Sequence, residues 1–169
     1  MSSGRTDSAE RPRLRRPARV AAVVSRYHPE ITGGMFASAR ETLTAAGLAP
    51  GDLLRIDAPG SYELPLIAQT LARRPDIDAV LCFGLVLKGE TDHDRYIASA
   101  VSEGLMRVAL EHRKPVLFGV LTCSTLAQAE ARARSRAEGG LDKGAEVARA
   151  AVETLNALAE ASAAPEAKR

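Results

Sequence analysis

Four apolar, strand-like runs, each followed by a helical pattern, predict an α/β protein: a three-layer αβα sandwich around a four-stranded parallel sheet. Two of those runs, Val20-Ala21-Ala22-Val23-Val24 and the stretch from Val80 to Leu87, are continuously apolar rather than alternating, which marks strands buried on both faces. The segments between the runs are long enough for right-handed helical crossovers, and no internal repeat offers another architecture.

In chain order, the first strand is read at residues 20–24 and ends in Ser25-Arg26-Tyr27-His28-Pro29. Ile31, Met35, Ala39, Leu43 and Ala46 then recur at helical spacing, and Gly47 stops that helix where a left-handed cap is favoured. The second strand is residues 53–56, followed by a turn at 57–61 and a helix over 64–73 for which Ser61 is the expected N-cap and Pro65 a tolerated first-turn residue. The third strand covers 78–87, and after a polar loop a helix runs over 96–110. The fourth strand is 115–121. Thr122, Ser124 and Thr125 offer hydroxyl caps for a helix from 126 to about 136, Glu138-Gly139-Gly140 interrupts it, and a last helix from 143 to about 161 buries Val147, Ala151, Leu155 and Leu158.

At 169 residues, with 46% hydrophobic and 26% charged side chains, the chain is sized for one domain with a real core. That domain is placed at 19–161, between a flexible N-terminal tail at 1–18 and a flexible C-terminal tail at 162–169. The net charge of +2 carries no signature of a nucleic-acid binder, and although Arg11, Arg13, Arg15, Arg16 and Arg19 crowd the N-terminus, no aromatic side chains interleave with them. No apolar run approaches the roughly 20 residues of a membrane span, so neither nucleic acid nor membrane is an expected partner. Cys82 and Cys123 sit in no CxxC pair; they read as buried thiols of a cytoplasmic protein, with no metal site implied.

Parallel strands bring their C-terminal ends to one edge of the sheet, and three of those ends carry unusual residues: Arg26-Tyr27-His28, Gly60-Ser61-Tyr62-Glu63 and Gly89-Glu90-Thr91-Asp92-His93. The third is a glycine-bounded loop entering a helix, where free backbone amides and the helix dipole suit a phosphate. The imidazole of His93 beside it suits proton transfer as a general acid or base. Tyr27, Tyr62 and Phe118, at or near strand ends, suit walls for a planar ligand, although any one aromatic more often packs under a loop. Glu63 fits a ligand role and a helix-dipole role equally well. Arg132 and Lys143 flank the Gly139-Gly140 break, on a segment whose basic residues otherwise read as a solvated face.

These residues occur together, in order, in one enzyme family. Through Val23-Val24-Ser25-Arg26-Tyr27, Pro59-Gly60-Ser61-Tyr62-Glu63-Leu64-Pro65, Gly84 to His93, Phe118-Gly119-Val120-Leu121-Thr122, Gln128-Ala129 and Asp142-Lys143-Gly144, the chain resembles 6,7-dimethyl-8-ribityllumazine synthases of riboflavin biosynthesis. The resemblance runs from about Arg19 to Leu158 and implies a flavodoxin-like fold. It implies condensation of 5-amino-6-(D-ribitylamino)uracil with 3,4-dihydroxy-2-butanone 4-phosphate, by a transferase that needs no metal or organic cofactor. Tyr27 then stacks on the pyrimidine, Ser61, Tyr62 and Glu63 hold the ribityl chain, and Leu85, Val86 and Leu87 line the heterocycle. Gly89, Glu90 and Thr91 bind the phosphate with Arg132, and His93 moves the proton. Phe118 and Arg132, with Lys143 nearby, reach the site from a neighbouring subunit, so the resemblance implies a homopentamer, either free or as the unit of a 60-subunit shell. The segment 134–142, longer than in the shell-forming members, favours the free pentamer. Asp94 and Arg95 stand where the family usually has an aromatic residue and an acid, which keeps open a rival reading as a lumazine- or flavin-binding or scaffold paralogue of the same fold.

Overall fold

The four apolar runs form one sheet in the computed structural model of the chain, which describes residues 12–164. Its strands are β1 (Val20–Ser25), β2 (Leu53–Ala58), β3 (Ala79–Leu87) and β4 (Val116–Cys123), all parallel, in the order β2-β1-β3-β4. The helices are α1 (Pro29–Ala45), α2 (Leu64–Ala72), α3 (His93–His112), α4 (Leu126–Ala133) and α5 (Lys143–Ala163). The predicted α/β architecture, with helices on both faces of a parallel sheet, is the one observed.

Strand pleating sorts the core into two halves. Val20, Ala22 and Val24 with Leu81, Phe83 and Leu85 face a cluster that includes Met35 and Leu43 of α1, Ala129 of α4 and Val152 of α5. Ala21 and Val23 with Val80 and Cys82 face the other, which includes Leu64 and Leu71 of α2 and Leu105 of α3. Being covered on both faces, β1 and β3 have no polar side to show, hence their unbroken apolar sequence. The edge strands differ: Arg55 and Asp57 on β2 and Phe118 and Thr122 on β4 are exposed. Each fully buried Leu or Met contributes about 1.5–3 kcal/mol, so a stripe such as Met35 and Leu43 holds α1 to the sheet far more firmly than helix propensity does. The chain steps from β1 to β2 with α1 on one face and back past β1 to β3 with α2 on the other, which keeps both crossovers of one hand.

Several boundaries move for identifiable reasons. β4 continues to Cys123 because Thr122 and Cys123 still pair with Val86 and Leu87. α4 stops at Ala133, before a 3₁₀ turn at Arg136–Glu138 that is started by a capping box in which the Glu138 carboxylate accepts from both the hydroxyl and the amide of Ser135. α3 starts at His93, one turn earlier than predicted. Most of the two expected tails, residues 1–11 and 165–169, lies outside the described residues. The remainder of the N-terminal one is tied to the body: the Leu14 amide donates to the Ala46 carbonyl (2.9 Å), the Arg15 amide to Asn156 Oδ1 (3.1 Å), and Asn156 Nδ2 to the Arg13 carbonyl (2.8 Å). Among the described residues no helix is long and apolar enough to cross a membrane.

Candidate active site

The strand order reverses between β1 and β3, the topological switch point at which open α/β sheets bind ligands outside the carboxyl ends of their strands. The hydrogen-bond registers show how the crevice opens there. β1 and β3 pair only as far as Val24 and Phe83, whereas β3 runs on to Leu87 alongside β4 and β1 stays with β2 through Ser25 and Ala58. The Arg26 amide extends the β1–β2 ladder to the Ala58 carbonyl (2.8 Å) and the Lys88 amide the β3–β4 ladder to the Cys123 carbonyl (2.9 Å). The sheet therefore splits between its two central strands, with the Tyr27 loop on one lip and the His93 loop on the other.

On the β3 lip, Leu85 and Val86 are buried on opposite faces of the sheet and only Leu87 is half-buried, so this strand end offers a ligand its backbone edge more than its side chains. Gly89, Glu90 and Thr91 are exposed. They form the approach to α3 and not its first turn, because the N-cap is Asp92 and the helix begins at His93. Their position still lies off the positive end of a 20-residue helix, which favours an anion. His93 is exposed on the first turn beside Asp94.

On the other lip, Tyr27 and Tyr62 are 66% and 63% exposed, a large apolar surface left open at the crevice. Glu63 is half-buried, and its carboxylate folds back over Gly60, where an added Cβ would meet Oε2 at 3.1 Å. Ser61 is not the side-chain cap expected of it. The N-cap of α2 is Glu63, without a side-chain cap bond, while the Ser61 hydroxyl is buried and donates to the Leu85 carbonyl at 3.2 Å, in the gap where β1 no longer pairs with β3.

Three further candidates stand away from these lips in the single chain. Phe118 pairs with Cys82, well below the carboxyl end of β4, and so is not a strand-end aromatic; it is 39% exposed on the open edge of the sheet. Arg132 is exposed on α4, its Nη1 donating to the Gln128 carbonyl (3.2 Å), and its charge acts on the Cys123 thiol at the end of β4. Lys143 opens α5 and pairs through Nζ with Glu146 (2.7 Å). Its neighbour Asp142 accepts from Ser38, nine residues into α1, which sets Lys143 roughly 14 Å down that helix from the sheet edge at 1.5 Å per residue. A concavity of about 740 Å³ lies elsewhere again, between α1 and α4, and includes neither Tyr27, Tyr62 nor His93 in its walls.

Both thiols are free and buried as expected; burial pushes the Cys82 thiol far up and that of Cys123 up as well, with Arg132 opposing the latter. Among the described residues no three His, Cys, Asp or Glu side chains gather as metal ligands. What the sequence did not show is the structural part played by Gly84, Ser25 and Thr32 at the crevice and by Asp142 at the start of α5. Gly84 admits Ser61, Ser25 and Thr32 bond across the turn under Tyr27, and Asp142, with φ at 55°, caps α5 through the Ala145 amide.

The profile of the family described as 6,7-dimethyl-8-ribityllumazine synthase matches residues 17–159. A 6,7-dimethyl-8-ribityllumazine synthase 1 of Caulobacter vibrioides is 48% identical over 144 residues, 84% of this chain and 91% of the relative. Synthases of the same name from Stenotrophomonas maltophilia and Thermus thermophilus are 43% and 41% identical, covering 86% and 83% of this chain and 93% and 87% of their own.

Proposed function

The chain belongs to the 6,7-dimethyl-8-ribityllumazine synthase family, and from that premise we propose how its split sheet carries out the family's reaction. The enzyme is a transferase of riboflavin biosynthesis: it condenses 5-amino-6-(D-ribitylamino)uracil with 3,4-dihydroxy-2-butanone 4-phosphate to 6,7-dimethyl-8-ribityllumazine, phosphate and water.

The observation that carries the assignment of the site is the divergence of β1 and β3 beyond Val24 and Phe83, with Tyr27 on one side and the α3 entry on the other. Tyr27 stacks on the pyrimidine, the backbone edge from Leu85 to Leu87 meets its polar rim, and Tyr62 and Glu63 hold the ribityl chain. Ser61 shapes that wall through its bond to Leu85. Gly89, Glu90 and Thr91 receive the phosphate at the positive end of α3, and Arg132 supplies the cation.

In the reaction, the uracil amine attacks the ketone and the adduct loses water to an imine, phosphate leaves by elimination, and ring closure with loss of a second water completes the lumazine. Holding two substrates side by side accounts for much of the rate, since effective molarity is worth about 7–11 kcal/mol. His93, on the first turn of α3 just past the phosphate loop, moves protons between the amine, the ketone oxygen and the leaving group.

A single chain leaves the crevice open, with Phe118, Arg132 and Lys143 apart from its lips. We therefore assign the working unit to a homopentamer in which these three close a neighbour's site. The exposed Leu66 on α2 and Met106 and Leu110 on α3 are the apolar surface such packing would cover. The segment 134–142 is folded on itself by bonds from the Gly140 amide to the Ser135 carbonyl and from the Asp142 amide to the Arg134 carbonyl, and we take the pentamer to be free; light scattering that shows a 60-subunit particle overturns this. The unpaired thiols suit a reducing compartment, and we assign the enzyme to the cytoplasm.

The test is to mix the protein with both substrates and follow the absorbance and green fluorescence of the lumazine. Product appearing at a rate set by enzyme concentration is expected. Tight binding of lumazine without its formation would show a binding paralogue instead.

A further inference from the structure

Between the last residue of β1 and the first of α1 the chain has three residues, Arg26, Tyr27 and His28, in which to turn from strand to helix. The turn closes only because His28 takes a left-handed conformation, φ 59° and ψ 62°, which residues other than glycine adopt reluctantly. Such a conformation persists where its surroundings over-determine it.

Here they do so through two buried hydroxyls. The Tyr27 amide donates to Ser25 Oγ at 3.2 Å. Thr32 Oγ1 donates to the Ser25 carbonyl at 2.7 Å and lies 3.2 Å from the His28 carbonyl, which also accepts from the amides of Ile31 and Thr32, each at 3.1 Å. Ser25 and Thr32 are 1% and 0% exposed, so neither hydroxyl has water as an alternative partner; removing the Thr32 hydroxyl takes a donor from the Ser25 carbonyl, and removing the Ser25 hydroxyl takes the acceptor from the Tyr27 amide. A threonine on the first turn of a helix ordinarily bonds within that helix; this one also reaches back to the strand and fastens the two elements together.

The ring this turn carries is free while its backbone is fixed. Tyr27 projects into solvent, and the ring contact recorded for it is an edge-on approach to His28 with centroids 4.9 Å apart. We propose that Ser25 and Thr32 are positioning residues that hold Tyr27 as a preformed face for the heterocycle, so that the binding of the aminouracil does not have to order it. This rests on the assignment of Tyr27 as the stacking residue. Pre-organisation of this kind shows in the affinity of the ligand that uses it and leaves the second substrate untouched.

The test measures KM for each substrate and kcat in the intact enzyme carrying Tyr27→Ala, Thr32→Val, Thr32→Ser or Ser25→Ala. Thr32→Val and Ser25→Ala are expected to raise KM for the aminouracil about tenfold, as loss of a buried hydrogen bond converts, with KM for the butanone phosphate unchanged and wild-type values restored in Thr32→Ser. Simple destabilisation would instead lower the active fraction, and with it kcat, at constant KM. Should Thr32→Val fail to fold, Ser25→Ala, which removes only the acceptor of the Tyr27 amide, decides the matter. If Tyr27→Ala raises that KM and neither hydroxyl variant does, the positioning role is overturned and the stacking role survives. If Tyr27→Ala leaves the KM unchanged, the stacking role fails and the inference with it.

Discussion

The hydroxyl of Ser61, on the loop after β2, donates to the carbonyl of Leu85 on β3 across the space above Gly84. β1 lies between those two strands lower in the sheet, so the contact forms only where β1 has turned away after Ser25. It makes the crevice a structural feature of the sheet: the same divergence that opens the crevice leaves a strand carbonyl that needs a donor, and the loop provides one.

A Cβ at Gly84 would come within 2.5 Å of Ser61 Oγ and 3.0 Å of Leu64 Cδ1. Gly84→Ala is therefore expected to destabilise the fold by about 1–3 kcal/mol, the usual cost of overpacking a filled site, measured by urea denaturation. Ser61→Ala removes part of the obstruction, so the double variant is expected to lose less than the sum of the two single changes, as contacting residues do. Additive losses would show that the two positions do not meet.

His93→Ala is expected to lower kcat by about 10²-fold to 10⁴-fold, the range of general acid–base catalysis, while KM for both substrates stays near its wild-type value. The side chain is exposed at the start of α3, so no fold defect should accompany the loss. Unchanged turnover would remove His93 from the mechanism.

What the sequence disclosed and what it withheld divide along physical lines. Strands and helices were legible because β1 and β3 are buried on both faces and α1 carries its stripe at Ile31, Met35, Ala39 and Leu43, patterns set by local periodicity. Thr125 was legible as a cap because its partner, the Gln128 amide, is three residues away. Ser61 was misread as another such cap because its partner is on a different strand, and a local pattern contains neither Leu85 nor the missing side chain of Gly84. The hold of Asn156 on Arg13 and Arg15 spans over 140 residues and was invisible for the same reason. Of the candidate site, the convergence of the loops after β1, β2 and β3 at one sheet edge was legible, whereas the set-back of Lys143 and Phe118 follows from helix packing and strand register.

Asp76 joins the loop before β3 to two cations, accepting from Arg74 Nη2 at 2.7 Å and from Arg19 Nη1 at 2.6 Å. The hydrogen bonds from Arg74, chiefly, hold its carboxyl down to about 2 from an ordinary value of 3.8. Between those values the unfolded chain binds more protons than the folded one, so this group's contribution is complete above about pH 4 and disappears as pH falls through 2. Asp76→Asn is expected to flatten the dependence of the urea midpoint on pH across that window, and because the pair is exposed, added salt should shrink the effect in the wild type. An unchanged pH profile in the variant would refute the coupling.

α3 is followed by Arg113, whose φ of 52° and ψ of 40° place an exposed arginine in the left-handed capping position that glycine prefers after a helix. Arg113→Gly removes that strain at the end of the helix remote from His93. The expected gain is about 0.5–1 kcal/mol, or a rise of roughly 1–4 °C in Tm, with kcat unchanged. A fall in Tm would mean that the arginine side chain stabilises its surroundings by more than its backbone costs.

A shared site makes a prediction that no single-subunit site can. If Arg132 of one subunit completes the phosphate site of the next, a subunit carrying Arg132→Ala retains a sound His93, and one carrying His93→Ala retains a sound Arg132. Unfolding and refolding the two weak variants together lets mixed assemblies form in which some interfaces join the intact His93 lip of one chain to the intact Arg132 of its neighbour. Activity of the mixture is expected to exceed that of either variant refolded alone several-fold, approaching the share of interfaces that pair in the productive order. Were Arg132 to act on its own chain's crevice, every site in the mixture would lack one group or the other and no activity would return, so the comparison separates the two arrangements without a structure of the assembly.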